Sequence, residues 1–282
     1  MRIDLHTHST ASDGTDAPAD LVRLAREAGL DVVALTDHDT TGGWHEAAAA
    51  LPDGLTLVRG AEISCVDADG ISLHMLGYLF DPDEPEFLRE RELVRTDRVR
   101  RAKAMVERCI ELGAPITWER VAEIAGDGAV GRPHVASALV EAGVIADVSA
   151  AFTPDWLKDG GRAYVPKYCI PAVEAVRMIR AAGGVAVFAH PRAVKRGRTV
   201  SDATIEELAA AGLGGLEVDH FDHDDAARTH LREMARDLDL VTTGSSDYHG
   251  SRKILGLGQF TTDPKAFEAI ADQARGVPLL GV

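Results

Sequence analysis

The chain has 282 residues, of which 45% are hydrophobic and 27% are charged, values that are ordinary for a globular protein with a substantial core. Its formal net charge of −15 argues against a protein that coats nucleic acid nonspecifically, because such binding needs a basic surface. No apolar run reaches the length of a membrane span, the first residues lack the apolar core of a signal peptide, and the three cysteines share no close spacing, so we expect a cytoplasmic protein with reduced thiols.

Short helices and apolar strands alternate along most of the chain. Pro18 lies in the first turn of a predicted helix, Gly29 ends that helix, and the apolar run 32–35 follows as a strand. The same order of helix, short turn and strand returns before three further apolar runs, at 185–189, 215–218 and 240–243. Such repeats are typical of βα units built around a parallel sheet.

Two segments depart from this alternation. Residues 55–64 and 71–80 are predicted to be consecutive strands joined by a hairpin turn at 67–70. Residues 81–165 carry helical patterns without strands between them. We therefore expect a βα-barrel domain formed by residues 1–80 and 166–282, with a helical insertion domain over residues 81–165. Five basic side chains within residues 95–103 are more typical of a solvated helix face than of a substrate-binding strip, although both interpretations stay open.

Ionisable side chains recur on the predicted strands or at their carboxyl ends. They are His6, His8, Asp37, His38, Glu62, His74, His190, Asp247 and His249. Because the carboxyl ends of barrel strands meet at one mouth, where active sites are found, we expect these groups to converge. Imidazole and carboxylate ligands together suit zinc, manganese or iron, and a His-x-His pair on a strand places both rings on one face. A single such pair is a weak signal, but five strand ends of this kind predict a metal centre.

Six short motifs, taken as a set, resemble the PHP (polymerase and histidinol phosphatase) family. They are His6-Thr7-His8, Ser12-Asp13-Gly14, Thr36-Asp37-His38-Asp39, Gly60-Ala61-Glu62, Ala189-His190-Pro191 and Ser246-Asp247-Tyr248-His249. The resemblance covers residues 1–80 and about 165–282, and it implies a distorted (β/α)7 barrel with two or three divalent metal ions in its mouth. The helical insertion also resembles that of stand-alone members acting on nucleotide 3′,5′-bisphosphates or on short RNA.

The same resemblance implies three metal sites. His6, His8, Glu62 and Asp247 would hold one ion, Glu62 would bridge to a second ion completed by His74 and His190, and Asp13, His38 and His249 would hold a third. Mn²⁺ is the expected metal, with Fe²⁺ or Zn²⁺ as alternatives that these ligands also accept. Glu62, Asp247 and His190 are the expected catalytic residues, since they would hold the ions that activate a hydroxide for attack on the phosphate.

Five further residues are candidates for contact with the substrate. They are Arg132, His134, Lys167, Arg192 and His223. Arg132 and His134 begin a predicted helix within a Gly-Arg-Pro-His sequence that resembles a motif of the same phosphoesterases, and the alternative is a helix cap in a surface loop. Lys167 and Arg192 are expected to contact phosphate. His223 is expected to contact the substrate or a metal ligand and not the metal.

The predicted function is metal-dependent hydrolysis of a nucleotide phosphate ester. The reaction would remove the 3′-phosphate of a nucleoside 3′,5′-bisphosphate, trim short RNA from its 5′ end, or do both. The expected partner is thus a small nucleotide or short oligonucleotide, with no membrane and no obligate protein partner. Histidinol-phosphate hydrolysis is an alternative with the same barrel and ligands, although the insertion argues against it. A non-catalytic metal-binding module is a third interpretation, against which the complete ligand set argues.

Overall fold

The computed structural model describes residues 1–126, 130–252 and 255–281. The chain divides into two compact units, one of Met1–Arg91 with Cys169–Val282 and one of Glu92–Tyr168. We call them the barrel unit and the helical unit. The sequence predicts boundaries after residues 80 and 165, whereas the two units meet after residues 91 and 168. The first of these points lies within one helix, which runs without interruption from Pro85 to Glu111. The exact domain boundaries stay a prediction.

Helices and strands alternate along most of the chain. They are β1 (Ile3–Thr7), α1 (Pro18–Glu27), β2 (Val32–Leu35), α2 (Trp44–Ala49), β3 (Thr56–Val66), β4 (Ser72–Tyr78), α3 (Pro85–Glu111), α4 (Trp118–Ala125), α5 (Arg132–Glu141), β5 (Ile170–Pro171), α6 (Ala172–Ala181), β6 (Val185–Phe188), α7 (Asp202–Ala211), β7 (Gly215–Asp219), α8 (Asp225–Asp237), β8 (Val241–Gly244) and α9 (Pro264–Gln273). Short 3-10 helices lie at Val148–Ala151, Val194–Arg196 and Gly250–Arg252. Among the described residues, none of these helices is both long and apolar enough to cross a lipid bilayer.

The strands of the barrel unit form one curved sheet in the order β1-β2-β3-β4-β6-β7-β8, with β5 added beside β3. Neighbours pair in parallel from β1 to β3 and from β6 to β8, whereas β4 is antiparallel to both β3 and β6. A parallel bridge between Thr7 and Tyr248 joins the two edges, so that the sheet is nearly closed. This confirms the expected distorted (β/α)7 barrel, and the antiparallel strand β4 accounts for much of the distortion.

Burial explains why these segments become strands. Every residue of β1, β2 and β6 is buried, as expected for barrel strands that are covered by helices on one side and by the packed interior on the other. The hairpin between β3 and β4 depends on Asp67, whose carboxylate accepts backbone N–H bonds from Asp69 and Ile71 at 3.0 and 2.7 Å. Gly70 completes the turn with a φ of +72°, a conformation that glycine adopts without strain.

The helical unit folds around an apolar core of its own. Buried side chains of α3, α4 and α5 pack together with residues of the following loops, among them Met105, Val121, Leu139 and Leu157. Thr117 caps α4 by accepting a hydrogen bond from the backbone N–H of Arg120. Over its described residues, this unit contains helices and loops without a strand, as the pattern of residues 81–165 predicts.

Candidate metal centre

The first ligand group, His6, His8, Glu62 and Asp247, is buried at the carboxyl ends of the strands. The Nε2 atoms of His6 and His8 lie 3.0 Å apart, and each is 3.1 Å from Glu62 Oε2. The same two nitrogens are 3.5 and 3.4 Å from Asp247 Oδ1. Atoms that bind one ion at about 2.1 Å lie roughly 3.0 to 3.5 Å from one another, so these four side chains fit a single metal ion.

The second group is centred on the other oxygen of Glu62. Glu62 Oε1 lies 2.7 Å from His74 Nδ1 and 3.0 Å from His190 Nε2, while Oε2 lies 3.2 Å from His38 Nδ1. The buried Nδ1 atoms of His38 and His74 have no hydrogen-bond partner among the described residues, although a carboxylate oxygen is close to each. A cation between each nitrogen and the carboxylate would satisfy both atoms, so these residues also fit a metal ion.

The third group, His8, Asp13, His38 and His249, is more open to solvent. Asp13 Oδ1 is 3.4 Å from His249 Nε2, and Asp13 Oδ2 is 3.8 Å from His38 Nε2. His249 Nδ1 donates to the carbonyl of Asp247 at 2.8 Å, which leaves Nε2 as an acceptor directed at Asp13. The side chain of Asp13 is 38% exposed, against 1% for Glu62. Asp13 is therefore more exposed to solvent than the other side chains of these three groups.

Glu217, on β7, is a functional residue that the sequence analysis did not place in the site. Its buried carboxylate accepts hydrogen bonds from His6 Nδ1 at 3.0 Å, from the Ser245 hydroxyl, and from the backbone N–H of His190 at 2.7 Å. Because a carboxylate only accepts, Nδ1 of His6 carries the proton and Nε2 presents its lone pair to the first group. The one available signal was a charged residue inside an otherwise apolar strand.

Three Asp–Ser pairs fix the loops that carry the ligands. In each pair one buried carboxylate accepts both the backbone N–H and the hydroxyl of a serine, at 2.6 to 3.0 Å. The pairs are Asp4 with Ser246, Asp37 with Ser9, and Asp39 with Ser64. Each serine lies within two residues of Asp247, His8 or Glu62. The pairs therefore position the ligand residues without using the side-chain atoms that face the ligand groups.

Arg196, in the 3-10 helix after β6, also contacts the centre. Its Nη2 donates to Asp247 Oδ2 at 2.6 Å, and its Nε donates to Asp222 Oδ2 at 2.7 Å. His220 Nε2 lies 3.4 Å from the same Asp247 oxygen. The two oxygens of Asp247 are thus divided, with Oδ1 facing the first group and Oδ2 facing Arg196. Nothing in the sequence distinguished Arg196 from its basic neighbours in this loop.

Two predicted substrate contacts of the barrel unit have structural partners. The guanidinium of Arg192 donates to the carbonyl of Val200 and to the carboxylate of Asp202. His223 Nδ1 donates to the carbonyl of Val218 at 2.8 Å, and His223 Nε2 accepts from the backbone N–H of Arg192 at 3.1 Å. The structure does not bring either side chain into the ligand groups, and His223 instead supports the loop that follows His190.

The other three predicted contacts lie in the helical unit. Arg132 donates to Asp159 Oδ1 at 2.5 Å. His134 Nδ1 accepts from the backbone N–H of Gly131 at 2.9 Å, which caps the start of α5. Lys167 is half-buried. The predicted helix start at Arg132 is present, and the contacts of these residues with substrate stay predictions.

The electrostatics of the ligand groups indicate an excess of negative charge. Burial lowers the pKa of His190 to about 4, so that its ring is neutral near pH 7. Burial also disfavours protonated His8, but hydrogen bonds to Asp247 and Glu62 raise its pKa to about 9. For Glu62, burial opposes ionisation, yet the nearby histidines, with His74 foremost, hold its pKa well below the usual range. Buried carboxylates that draw protons onto adjacent imidazoles offer divalent cations the same attraction.

Comparisons with known proteins identify the family to which this chain is similar. Residues 4–95 match the PHP domain. The chain is 34% identical over 250 residues to a 5′-3′ exoribonuclease of Haemophilus influenzae, covering 88% of this chain and 90% of that protein. It is 35% identical over 262 residues to a 3′,5′-nucleoside bisphosphate phosphatase of Chromobacterium violaceum, covering 88% and 87%. A crystal structure from Bifidobacterium adolescentis, assigned as a metal-dependent phosphoesterase, is 39% identical with a TM-score of 0.83 and covers 97% and 96% of the two chains.

Proposed function

Because this chain belongs to the PHP family and is a metal-dependent phosphoesterase, we propose that its substrate is a nucleotide phosphate ester. The preferred reaction is removal of the 3′-phosphate from a nucleoside 3′,5′-bisphosphate, with 5′ to 3′ trimming of short RNA as a related activity. The observation that carries this proposal is the cluster of buried histidines and carboxylates, in which two imidazole nitrogens lack a hydrogen-bond partner among the described residues.

Charge supports a phosphate as the group that is bound. The proposed ligands include three carboxylates, those of Asp13, Glu62 and Asp247, and the histidines bind metal in the neutral form. Three divalent ions would leave the centre with about three positive charges. A phosphate dianion suits such a centre, whereas a neutral ester or amide gains little from it. The relatives named as an exoribonuclease and as a bisphosphate phosphatase support a nucleotide as the substrate.

We propose the following arrangement of metal ligands. His6, His8, Glu62 and Asp247 hold one ion, Glu62 with His74 and His190 holds a second, and Asp13, His38 and His249 hold a third. Bound divalent ions supply a water of lowered pKa and positive charge beside the phosphate oxygens. Mixed nitrogen and oxygen ligands favour Mn²⁺, with Fe²⁺ and Zn²⁺ as alternatives.

The protein's own part in the reaction is to fix these groups before the substrate arrives. Glu62 directs one oxygen at the first group and the other at His74 and His190, so one carboxylate sets the distance between two ligand groups. Glu217 fixes the protonation of His6 and holds the backbone of His190. Such preorganisation leaves little reorganisation to be done during the reaction. We also propose a cytoplasmic location, in keeping with cysteines that share no close spacing.

A substrate comparison tests this proposal. The purified enzyme with Mn²⁺ would be assayed on adenosine 3′,5′-bisphosphate, a 5′-phosphorylated RNA trinucleotide, histidinol phosphate and p-nitrophenyl phosphate. We expect kcat/KM for the bisphosphate to exceed that for histidinol phosphate by about a hundredfold, the equivalent of roughly 3 kcal/mol of preferential binding in the transition state. Equal or higher kcat/KM for histidinol phosphate would overturn the nucleotide assignment.

A further inference from the structure

Two pairs of adjacent residues lie on the loops that follow β6 and β7 at the barrel mouth. Lys195 and Arg196 follow β6, and Phe221 and Asp222 follow β7, at the end of the strands where the ligands lie. Arg196 and Asp222 contact each other, and Arg196 reaches Asp247 of the first ligand group. Arg196 thus contacts the first ligand group directly, and Asp222 is connected to that group through Arg196.

The first residues of the two pairs, Lys195 and Phe221, contact each other. Lys195 Nζ lies 5.1 Å from the centroid of the Phe221 ring. Phe221 is 50% exposed, although it stands between the buried residue His220 and the half-buried residue Asp222. Lys195 directly precedes Arg196, which contacts Asp247, and Phe221 directly precedes Asp222, which contacts Arg196. An exposed phenyl ring with an ammonium group beside it therefore lies next in sequence to residues that are connected to the metal centre.

We propose that Lys195 and Phe221 bind the nucleoside part of the substrate while its phosphate lies at the metal centre. This inference rests on the proposed nucleotide substrate. An aromatic ring on which a base stacks, next to cations that pair with phosphate, is the combination that proteins use for single-stranded nucleotides. Every base has a π-face, so a platform of this kind accepts different bases and suits either a bisphosphate or the first residues of an RNA.

The alternative occupant of an exposed phenyl ring is another protein. Val194 offers a control for that case, because it lies on the same loop and is 67% exposed but carries an aliphatic side chain that cannot stack. A protein interface would use both apolar side chains. A stacked base requires the ring of Phe221 alone, with the charge of Lys195 beside it.

The test uses the full-length Mn²⁺ enzyme and four variants, Phe221→Ala, Phe221→Trp, Lys195→Ala and Val194→Ala. Hydrolysis of p-nitrophenyl phosphate is the reporter reaction, and adenosine 5′-phosphate and inorganic phosphate are competing inhibitors. For Phe221→Ala we expect the inhibition constant of adenosine 5′-phosphate to rise roughly tenfold, within the range of one lost base–aromatic stack. The inhibition constant of inorganic phosphate should stay within about twofold of the parent, since inorganic phosphate has no ring that could stack on Phe221.

The variants separate the outcomes. Phe221→Trp should retain tight inhibition, Lys195→Ala should show an intermediate loss that decreases at high salt, and Val194→Ala should behave as the parent. Unchanged inhibition in Phe221→Ala, or equal losses in Phe221→Ala and Val194→Ala, would overturn the inference. If the parent enzyme hydrolyses p-nitrophenyl phosphate but neither the bisphosphate nor the RNA, the proposed function itself fails. If the parent enzyme cleaves nucleotides and Phe221→Ala leaves their binding unchanged, only the inference about Phe221 fails.

Discussion

Three carboxylates of the barrel unit and one group of ion pairs in the helical unit differ sharply in their exposure to solvent. In the barrel unit, Glu62, Asp247 and Glu217 are at most 1% exposed. In the helical unit, Arg120 pairs with Glu123 and Glu141, and each of these three side chains is about half exposed or more. A buried carboxylate costs free energy unless it is paired, whereas a surface ion pair contributes little in either direction. We therefore expect metal binding to be coupled to the interior of the barrel unit and to leave the apolar core of the helical unit unaffected.

This contrast predicts where substitutions and metal removal should act. Changes at the buried groups should remove the chemistry, while changes in the helical unit should alter how strongly particular substrates bind. Four experiments test the contrast, and their expected effects decrease from removal of metal to substitution of Arg132.

Removal of metal should have the largest effect. We expect a chelator to abolish activity and Mn²⁺ to restore it most strongly, because the histidine ligands disfavour Mg²⁺, which prefers oxygen and keeps its waters. The rate of p-nitrophenyl phosphate hydrolysis measures the loss and its recovery, and circular dichroism should show that helix content is kept. Full recovery with Mg²⁺ alone, in protein that carries no other metal, would contradict the proposed histidine ligation.

Substitution of a buried ligand comes next. Glu62→Ala and Asp247→Ala should each lower kcat by at least about a thousandfold, because each removes an oxygen that is directed at the first ligand group. Thermal unfolding should show that both variants still fold. The matched control is Glu207→Ala, an exposed glutamate on α7 of the same unit, which should keep the parent's rate. A Glu62→Ala enzyme saturated with metal and running at near-normal rate would exclude a two-metal mechanism.

Glu217→Gln should produce an intermediate effect. The amide has nearly the shape of the carboxylate, but it cannot accept from His6, Ser245 and the His190 backbone with both of its polar atoms. We expect metal affinity to fall by roughly 10- to 100-fold, the usual range for a lost partner of a ligating histidine. Titration of metal-free protein with Mn²⁺ measures this, and excess Mn²⁺ should recover part of the activity. Unchanged affinity would mean that Glu217 is only a structural carboxylate.

Arg132→Ala in the helical unit should have the smallest effect and the most selective one. Loss of a charge-assisted contact to a second phosphate predicts a decrease of about thirtyfold in kcat/KM for a bisphosphate or oligonucleotide, or about 2 kcal/mol. The effect on p-nitrophenyl phosphate should be far smaller, and Arg120→Ala serves as the arginine control in the same unit. Equal losses on both substrates would place Arg132 at the reacting phosphate, and no loss would leave it as the start of α5.

The sequence predicted the barrel and its candidate ligands because both depend on local signals. Motifs such as His6-Thr7-His8 sit at the ends of apolar strands, and parallel strands bring those ends together whatever the distance along the chain. The roles of Glu217 and Arg196 could not be predicted in this way, because they depend on contacts that are distant in sequence. Glu217 acts on His6, 211 residues away, and Arg196 acts on Asp247, 51 residues away, through hydrogen bonds that no pattern of spacing encodes.

Local signals in the sequence do not mark a boundary between the two units within α3. The helical pattern that begins at Pro85 continues to Glu111, and neither composition nor turn residues mark the point near Arg91 where the packing partners change. Boundaries of this kind depend on which side chains share a core. That information lies in the three-dimensional packing and not in the helix-forming tendency of the segment.

The three Asp–Ser pairs have a consequence for how this protein can change over generations. Their hydrogen bonds tie down the neighbours of Asp247, His8 and Glu62 and leave the ligands themselves uninvolved. We therefore expect a mutation that deletes a ligand to silence the enzyme while the barrel mouth keeps its shape, and we expect the inactive product to escape the proteases that remove unfolded chains. In that case a lineage would lose the reaction in a single step and retain a stable fold on which selection could act for binding alone.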